Sequence, residues 1–303
     1  MMKTEKPWIV TDMDGTLLND GKTVSRPNQD ALHKAREAGL HVMVATGRDY
    51  VEASTPLKEA GIEVPLICVN GSDIRDINGK IISQQTLTVQ TYKGIRRILE
   101  EENIYFEIYT TGGSFTNDRE QGFELVTNML MLTGEFPTYN EAKKIAEWRF
   151  NEGFIQETES YDDLLHKEGI GLLKILAFTK DQTKRIRANE RLSLMDVTVT
   201  SSSEDNIEIM HCNATKGRGI IQMADIYGLD VKNAVVFGDN ENDRSMMEAA
   251  GYAVAMGNAL PAIRRISDQV TSTNIEHGVA EVIEQLLAPA SVRKHSHWET
   301  FNR

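Results

Sequence analysis

The sequence predicts an α/β fold in which a parallel sheet covered by helices is interrupted by an α+β insertion. Three observations carry this. Apolar runs of strand length alternate with helical periods near both ends of the chain. Between about Gln84 and Asn206 that alternation lapses, and helix-like and strand-like segments mix in less regular order. The 303 residues are about twice the ~150-residue prior for one domain, enough for two cores.

Each element has a local reason. Trp8–Thr11 reads as the first strand and breaks off into Asp12-Met13-Asp14-Gly15-Thr16. Pro27 suits the first turn of a helix that runs to Ala38, with Gly39 as its stop. His41–Ala45 is a second strand ending at Thr46-Gly47-Arg48, and a helix over Asp49–Ala60 closes on Gly61. Pro65–Val69 forms a third strand, and Ile74–Ile82 centres on Asn78-Gly79, a two-residue hairpin turn. Within the insertion, Val89–Glu102, Glu120–Leu132 and Gln182–Leu192 read as helices. Ile104–Tyr109, Leu172–Phe178 and Val197–Thr200 read as strands. Simple alternation then resumes with a helix over Lys216–Tyr227, a strand over Ala234–Phe237, a short helix over Asp243–Ala249 and a strand over Tyr252–Ala255. The final helix shows Val279, Val282, Ile283, Leu286 and Leu287 at i, i+3, i+4, i+7 and i+8, an amphipathic stripe. The expected organisation is a core of 1–83 and 207–288, an inserted domain of 84–206, and a frayed tail of 289–303.

Composition removes several functions. A net charge of −12 disfavours binding to nucleic acid or to an anionic membrane through the bulk field. An anionic small substrate stays open, since local cations or a metal can reverse the sign at one site. Cys68 and Cys212 make no disulfide framework, and no apolar stretch reaches the ~18–20 residues of a membrane span. The N-terminal apolar run is too short for a secretion signal, so the expected compartment is the cytoplasm.

Four polar clusters fall beyond strand ends, where open parallel sheets collect reactive groups. Asp12 and Asp14, two apart at a strand end, can turn both carboxylates to one cavity, one as nucleophile and one as proton donor. An Asx-turn with a helix cap would use the same residues. Gly238-Asp239-Asn240-Glu241-Asn242-Asp243 sets three carboxylates directly before a helix. They suit Mg²⁺, although Asp243 would also serve as a plain cap. Lys216 enters its helix after Asn213-Ala214-Thr215 and either supplies a positive charge or is a solvated helix-start lysine. Thr46 and Gly47 end a strand before a helix, where a hydroxyl and N–H groups can hold an anion; Arg48 either helps or pairs with an acid. Phosphoryl transfer fits this set best, because a carboxylate cannot approach a phosphate dianion unless cations mask its charge.

Asp12-Met13-Asp14-Gly15-Thr16-Leu17-Leu18, Thr46-Gly47-Arg48, Lys216-Gly217 and Gly238-Asp239-x-x-Asn242-Asp243 resemble, in order and spacing, the four motifs of the haloacid dehalogenase superfamily. They are most similar to its Cof-type phosphatases. The resemblance spans about residues 8–288. It implies a Rossmannoid core, a type-IIB α/β cap between the second and third motifs, and Mg²⁺-dependent hydrolysis of small phosphorylated metabolites through an aspartyl-phosphate. By this resemblance Asp12 is nucleophile and metal ligand, and Asp14 is the acid/base that also binds Mg²⁺ through its backbone carbonyl. Asp239 completes the ligands with Asp243 in support, and the backbone of Met13, Thr46, Gly47, Lys216 and Asn242 holds phosphate. One departure is His211-Cys212-Asn213-Ala214-Thr215, where many relatives carry Pro shortly before the lysine.

A phosphomutase would share these core residues, and a receiver protein would merely store phosphate on Asp12. The large late insertion argues against the first and Asp14 against the second. Sugar phosphates, pyridoxal phosphate and flavin mononucleotide are the candidate substrates. Tyr105, Tyr109, Phe115, Tyr139, Trp148 and Phe154 offer rings for stacking, though aromatics of an α+β domain more often build its core. Gly112-Gly113 is either a substrate-facing loop or a turn.

Overall fold

The computed structural model describes residues 6–132, 138–151, 153–203 and 205–288, so the expected tail lies outside the described residues. The chain forms two compact units, one from residues up to Gln84 and from Ala214 onward, the other from Gln85–Asn213. In chain order the first unit supplies β1 (Trp8–Thr11), β2 (Val42–Ala45), β3 (Leu66–Cys68), β4 (Asp73–Arg75) and β5 (Ile81–Gln84). The second supplies β6 (Tyr105–Thr110), β7 (Gly113–Thr116), β8 (Gln156–Glu157), β9 (Leu172–Phe178), β10 (Val197–Thr200) and β11 (Asn206–His211). The first unit ends with β12 (Ala234–Gly238), β13 (Tyr252–Ala255) and β14 (Gln269–Val270).

The first unit's sheet runs β14-β13-β12-β1-β2-β3-β4-β5. Its centre is parallel: Trp8 stands opposite Ala234 and Ile9 opposite Val42. The strands β1, β2, β12 and β13 are buried along their whole length, as expected of near-continuous apolar runs covered on both faces. The chain steps from β1 outward through β2 and β3, then returns to β1's other side as β12. The carboxyl ends of β1 and β12 therefore flank the point where strand order reverses. The helix Arg26–Glu37 starts with Pro27 in its first turn and packs against the helix Gly278–Leu287, whose Val279, Val282, Ile283 and Leu286 are buried. Asn78-Gly79 turns the antiparallel β4–β5 pair, with Gly79 in the left-handed region.

The second unit is a six-stranded sheet of order β10-β11-β9-β6-β7-β8, antiparallel except for β7 and β8. Alternation divides its faces. Phe106, Ile108, Ile175, Ala177, Ile207 and Ile209 meet Tyr92, Ile95, Leu99, Ala188 and Leu192 from the helices Val89–Glu101 and Gln182–Leu192. The opposite face packs Tyr105, Tyr109, Leu176 and Phe178 with Leu125 of the helix Arg119–Leu132, and it also buries Glu107, Lys174 and Glu208.

Several expectations change. The inserted domain was expected to end at 206, but β11 pairs with both β9 and β10, so that segment is part of the second sheet. The helix Tyr139–Asn151 had no expectation, because its polar residues leave only a weak apolar stripe. Gly112 belongs to the two-residue turn Thr111-Gly112 that joins β6 to β7, and Gly113 opens β7 opposite Thr110. Tyr105 and Tyr109 are core side chains and Phe115 packs on the main cluster, whereas Tyr139 is exposed. The side chain of Trp148 lies outside the described residues. Among the described residues no helix is long and apolar enough to cross a membrane.

Candidate active site

Asp12 leaves the end of β1 still tied to the sheet, its N–H donating to the Phe237 carbonyl at 3.0 Å. The chain then curls into a turn over Met13–Leu17, closed by the Leu18 N–H donating to the Met13 carbonyl at 2.9 Å. Gly15 makes this possible. It has φ of +72°, and a Cβ there would stand 2.5 Å from Asp239 Oδ2.

β12 delivers Asp239 alongside. Ligand oxygens of Asp12, Asp239 and Asp243 all lie within 4.8 Å of one another. Asp243 does two jobs at once. Its Oδ2 accepts from the N–H groups of Asp239 (2.8 Å) and Asn240 (3.0 Å), the capping role that residue type suggests. Its Oδ1 accepts from Lys216 Nζ at 2.7 Å, and the same ammonium donates to Asp12 Oδ1 at 2.5 Å. Lys216 is fully buried, so the solvated-lysine reading fails. Its helix start is held by a side-chain cap, Thr215 Oγ1 accepting from the Arg218 N–H at 3.1 Å.

When ionised, the buried carboxylates of Asp12 and Asp243 and the half-buried one of Asp239 leave two negative charges uncompensated by the Lys216 ammonium, which a hard divalent cation would balance. The electrostatics carry the same signature. Burial, then the carboxylates of Asp243 and Asp14, push Asp12 up to about 7 against the pull of Lys216. Burial, then Asp243 and Asp12, push Asp239 up to about 8. Burial would lower the Lys216 pKa, yet Asp12 and Asp243 outweigh it and hold the ammonium charged. An all-oxygen donor set that resists ionising without a cation suits Mg²⁺.

Asp14 departs from the expectation that two residues two apart on a strand face one cavity. The strand ends at Thr11, so strand alternation no longer governs Asp14, and its carboxylate does not join the three-oxygen cluster. Instead Arg48 holds it with two bonds, Nε to Oδ2 at 2.6 Å and Nη2 to Oδ1 at 2.7 Å, while Lys22 Nζ donates to Oδ1 at 3.2 Å. Burial works to raise its pKa, but Arg48 and then Lys22 overcome this and hold it well below the usual carboxylate range.

Thr46 directly follows β2, and its N–H donates to the Ile67 carbonyl at 2.8 Å, so that amide is spent on the neighbouring strand. What Thr46 offers an anion is its hydroxyl, whose oxygen also accepts from the Arg48 N–H. Gly47 follows in the same loop. Met13 lies in the turn after Asp12, and Asn242 sits in the short helical turn Glu241–Asp243. Asn242 Nδ2 donates to Asn70 Oδ1 at 3.2 Å, and the Asn70 N–H donates to the Thr46 carbonyl at 2.9 Å. Sequence reasoning missed Asn70, which links two predicted loops from a left-handed conformation shared by Val69 and Gly71. The available signal was Asn-Gly immediately after a strand.

The family model of haloacid dehalogenase-like hydrolases matches residues 9–283. The chain belongs to this family. Among haloacid dehalogenase-like relatives, phosphatase YwpJ of Bacillus subtilis (strain 168) is 33% identical, covering 92% of this chain and 99% of its own. The 5-amino-6-(5-phospho-D-ribitylamino)uracil phosphatase YwtE of the same organism is 32% identical, covering 92% and 98%. A solved haloacid dehalogenase-like hydrolase from B. subtilis superposes with a TM-score of 0.83 at 32% identity, covering 92% and 99%. The haloacid dehalogenase subclass IIB sugar phosphatase BT4131 shares the fold, with a TM-score of 0.72 at 19% identity over 92% of this chain and 98% of its own. The expected parallel-sheet core with an inserted type-IIB cap is thus the fold of this haloacid dehalogenase-like hydrolase.

Proposed function

We propose that this chain is a Mg²⁺-dependent phosphatase that hydrolyses small phosphate monoesters through a phosphoaspartyl intermediate on Asp12. The observation that supports this most is the buried bridge of Lys216 between Asp12 and Asp243, beside Asp239. Asp12, Asp239 and Asp243 would hold Mg²⁺ with the Asp14 carbonyl, and the ion would supply positive charge where a phosphate dianion meets carboxylates. Lys216 fixes the rotamer of Asp12 through Oδ1. An Asp12 oxygen attacks phosphorus, the phosphorus–oxygen bond to the leaving group breaks, and Asp14 delivers the proton that the departing alkoxide needs. Asp14 then takes a proton from water, which attacks phosphorus and releases phosphate from Asp12. The pairing with Arg48 holds Asp14 ionised, so for the first step Asp14 leaves Arg48 and takes up a proton from solvent before passing it to the leaving oxygen; delivering that proton returns it to the ionised form the second step requires. Met13, Thr46, Gly47, Lys216 and Asn242 surround the phosphate.

The two relatives named above are phosphatases, one of a phosphorylated ribityl compound. This supports a phosphorylated metabolite as substrate, with sugar phosphates, pyridoxal phosphate and flavin mononucleotide as first candidates. The test is phosphate release from a panel of such esters. Release with Mg²⁺ that stops in EDTA, and that falls to background in Asp12→Asn, is the expected result. Undiminished release by the Asn variant overturns the nucleophile assignment.

A further inference from the structure

We propose that Asn258 and Asn274 clamp the turn bearing Asp14 and are positioning residues for the proton transfer, an inference that rests on Asp14 acting as the acid. The turn needs such support. It carries Asp14 next to Gly15, which is in the left-handed region, and neither residue has helical backbone angles. Glycine opens many alternative backbone conformations, so nothing in its own geometry keeps the preceding carboxylate in place.

An external frame does so. Asn258 Nδ2 donates to the Gly15 carbonyl at 2.8 Å. Asn258 Oδ1 accepts from the Asn274 N–H at 3.1 Å, and Asn274 Nδ2 donates to the Leu18 carbonyl at 3.0 Å. The two asparagines therefore link the carbonyls of residues 15 and 18 through one continuous chain of hydrogen bonds. A third, the fully buried Asn28, donates to the Leu17 carbonyl at 3.1 Å and accepts from the Ala280 N–H at 3.0 Å. The amide side chain is suited to this because it presents a donor and an acceptor in one rigid plane, which neither Asp nor Ala provides. Asn258 lies after β13 and Asn274 precedes the helix Gly278–Leu287, so both ends of the clamp are anchored in the sheet-and-helix core. Catalytic geometry is lost steeply with displacement, about 10²-fold for roughly 1 Å.

The test exploits leaving groups. A nitrophenolate departs without a proton, whereas an alkoxide needs Asp14. kcat/KM is the correct measure because it reports only steps through departure of the leaving group. It is compared for p-nitrophenyl phosphate and glycerol phosphate, with Mg²⁺, in the full chain and in Asn258→Ala, Asn274→Ala and Asp14→Asn. Asn258 is exposed, so its variant is the one expected to fold unchanged. The clamp predicts that Asn258→Ala and Asn274→Ala lower the alkyl ester's kcat/KM by about 10²-fold and the aryl ester's by less than about 3-fold, as Asp14→Asn does more strongly. Equal losses on both esters, or no loss, in Asn258→Ala overturn the clamp while Asp14→Asn remains selective. If Asp14→Asn is itself unselective, the acid reading fails and the inference falls with it.

Discussion

Lys216→Met keeps an unbranched side chain, one atom shorter, and removes its charge. The ammonium lies 2.5 Å from Asp12 and 2.7 Å from Asp243, and all three side chains are at most 6% exposed. Breaking a buried ion pair from one side costs about 3–5 kcal/mol, because the surviving charge is left without its partner. Two carboxylates lose the same cation here, so the loss belongs at the upper end, about 5 kcal/mol for metal-free protein at pH 8. That is comparable with the whole stability of a small domain, about 5–15 kcal/mol. The carboxyls can escape by taking up protons, so the cost shrinks as the pH falls toward 6. Hydrogen exchange of β1 and β12 amides in EDTA reads the first unit separately from the second. The expected result is a collapse of protection at pH 8, partly recovered at lower pH and by added Mg²⁺. A loss below about 1 kcal/mol at pH 8, the level of an exposed pair, would refute the buried bridge.

Two further predictions concern the same site and a third the second unit. In metal-free protein Asp12 titrates near 7 and Asp239 near 8, both above the 3.8 of an unfolded Asp. The folded state then binds the extra protons, so the melting temperature falls as pH rises from about 4 to about 8, and Mg²⁺ flattens that slope; a slope of opposite sign in EDTA contradicts the cluster. Gly15→Ala drives a methyl toward Asp239 Oδ2 at a left-handed position, and calorimetry should show Mg²⁺ affinity weakened by about tenfold or more, as unchanged affinity would not. In the second unit Lys174 Nζ donates to Glu208 Oε1 at 3.1 Å, both side chains at most 3% exposed. Lys174→Met alone should cost about 3–5 kcal/mol and Lys174→Met with Glu208→Leu far less; urea unfolding that shows simple addition denies the coupling.

The first unit was the more legible of the two because its elements repeat one rule. Fully buried apolar runs such as Val235-Val236-Phe237 admit little but a central parallel strand, and the stripe from Val279 to Leu286 has one buried face. The second unit mixes faces. Its β6 alternates Phe106 and Ile108 toward one core with Tyr105, Glu107 and Tyr109 toward the other, and all six of its residues are buried, so alternation does not separate inside from outside. The boundary at 206 failed for a related reason: Asn206–His211 carries polar Glu208 within an apolar run, and only its pairing with β9 shows where it belongs. In the site, the acidic cluster was legible because carboxylates at three strand or helix ends cannot all be caps. The Asp14–Arg48 pair was open to either reading, since residue spacing does not say where a turn begins.

That turn explains how two identical side chains, two residues apart, acquire opposite properties. β1 carries Asp12 into the company of Asp239 and Asp243, where burial and like charge hold its carboxyl up until a cation arrives. Gly15 and the curl from Met13 to Leu17 take Asp14 out of that company and set it against two cations, which hold its carboxyl down. Roles assigned to paired carboxylates follow from such differences in environment, not from residue type. On the proposed mechanism a nucleophile must be ionised when substrate is bound, which a divalent cation beside Asp12 would secure. A base must be ionised when water attacks, which the pairing with Arg48 would favour for Asp14. The asparagines at 28, 258 and 274 then matter because they maintain the turn that separates the two environments. If the turn relaxed, Asp14 would lose its fixed place against Arg48, and the difference in environment on which the proposed division of roles rests would go with it.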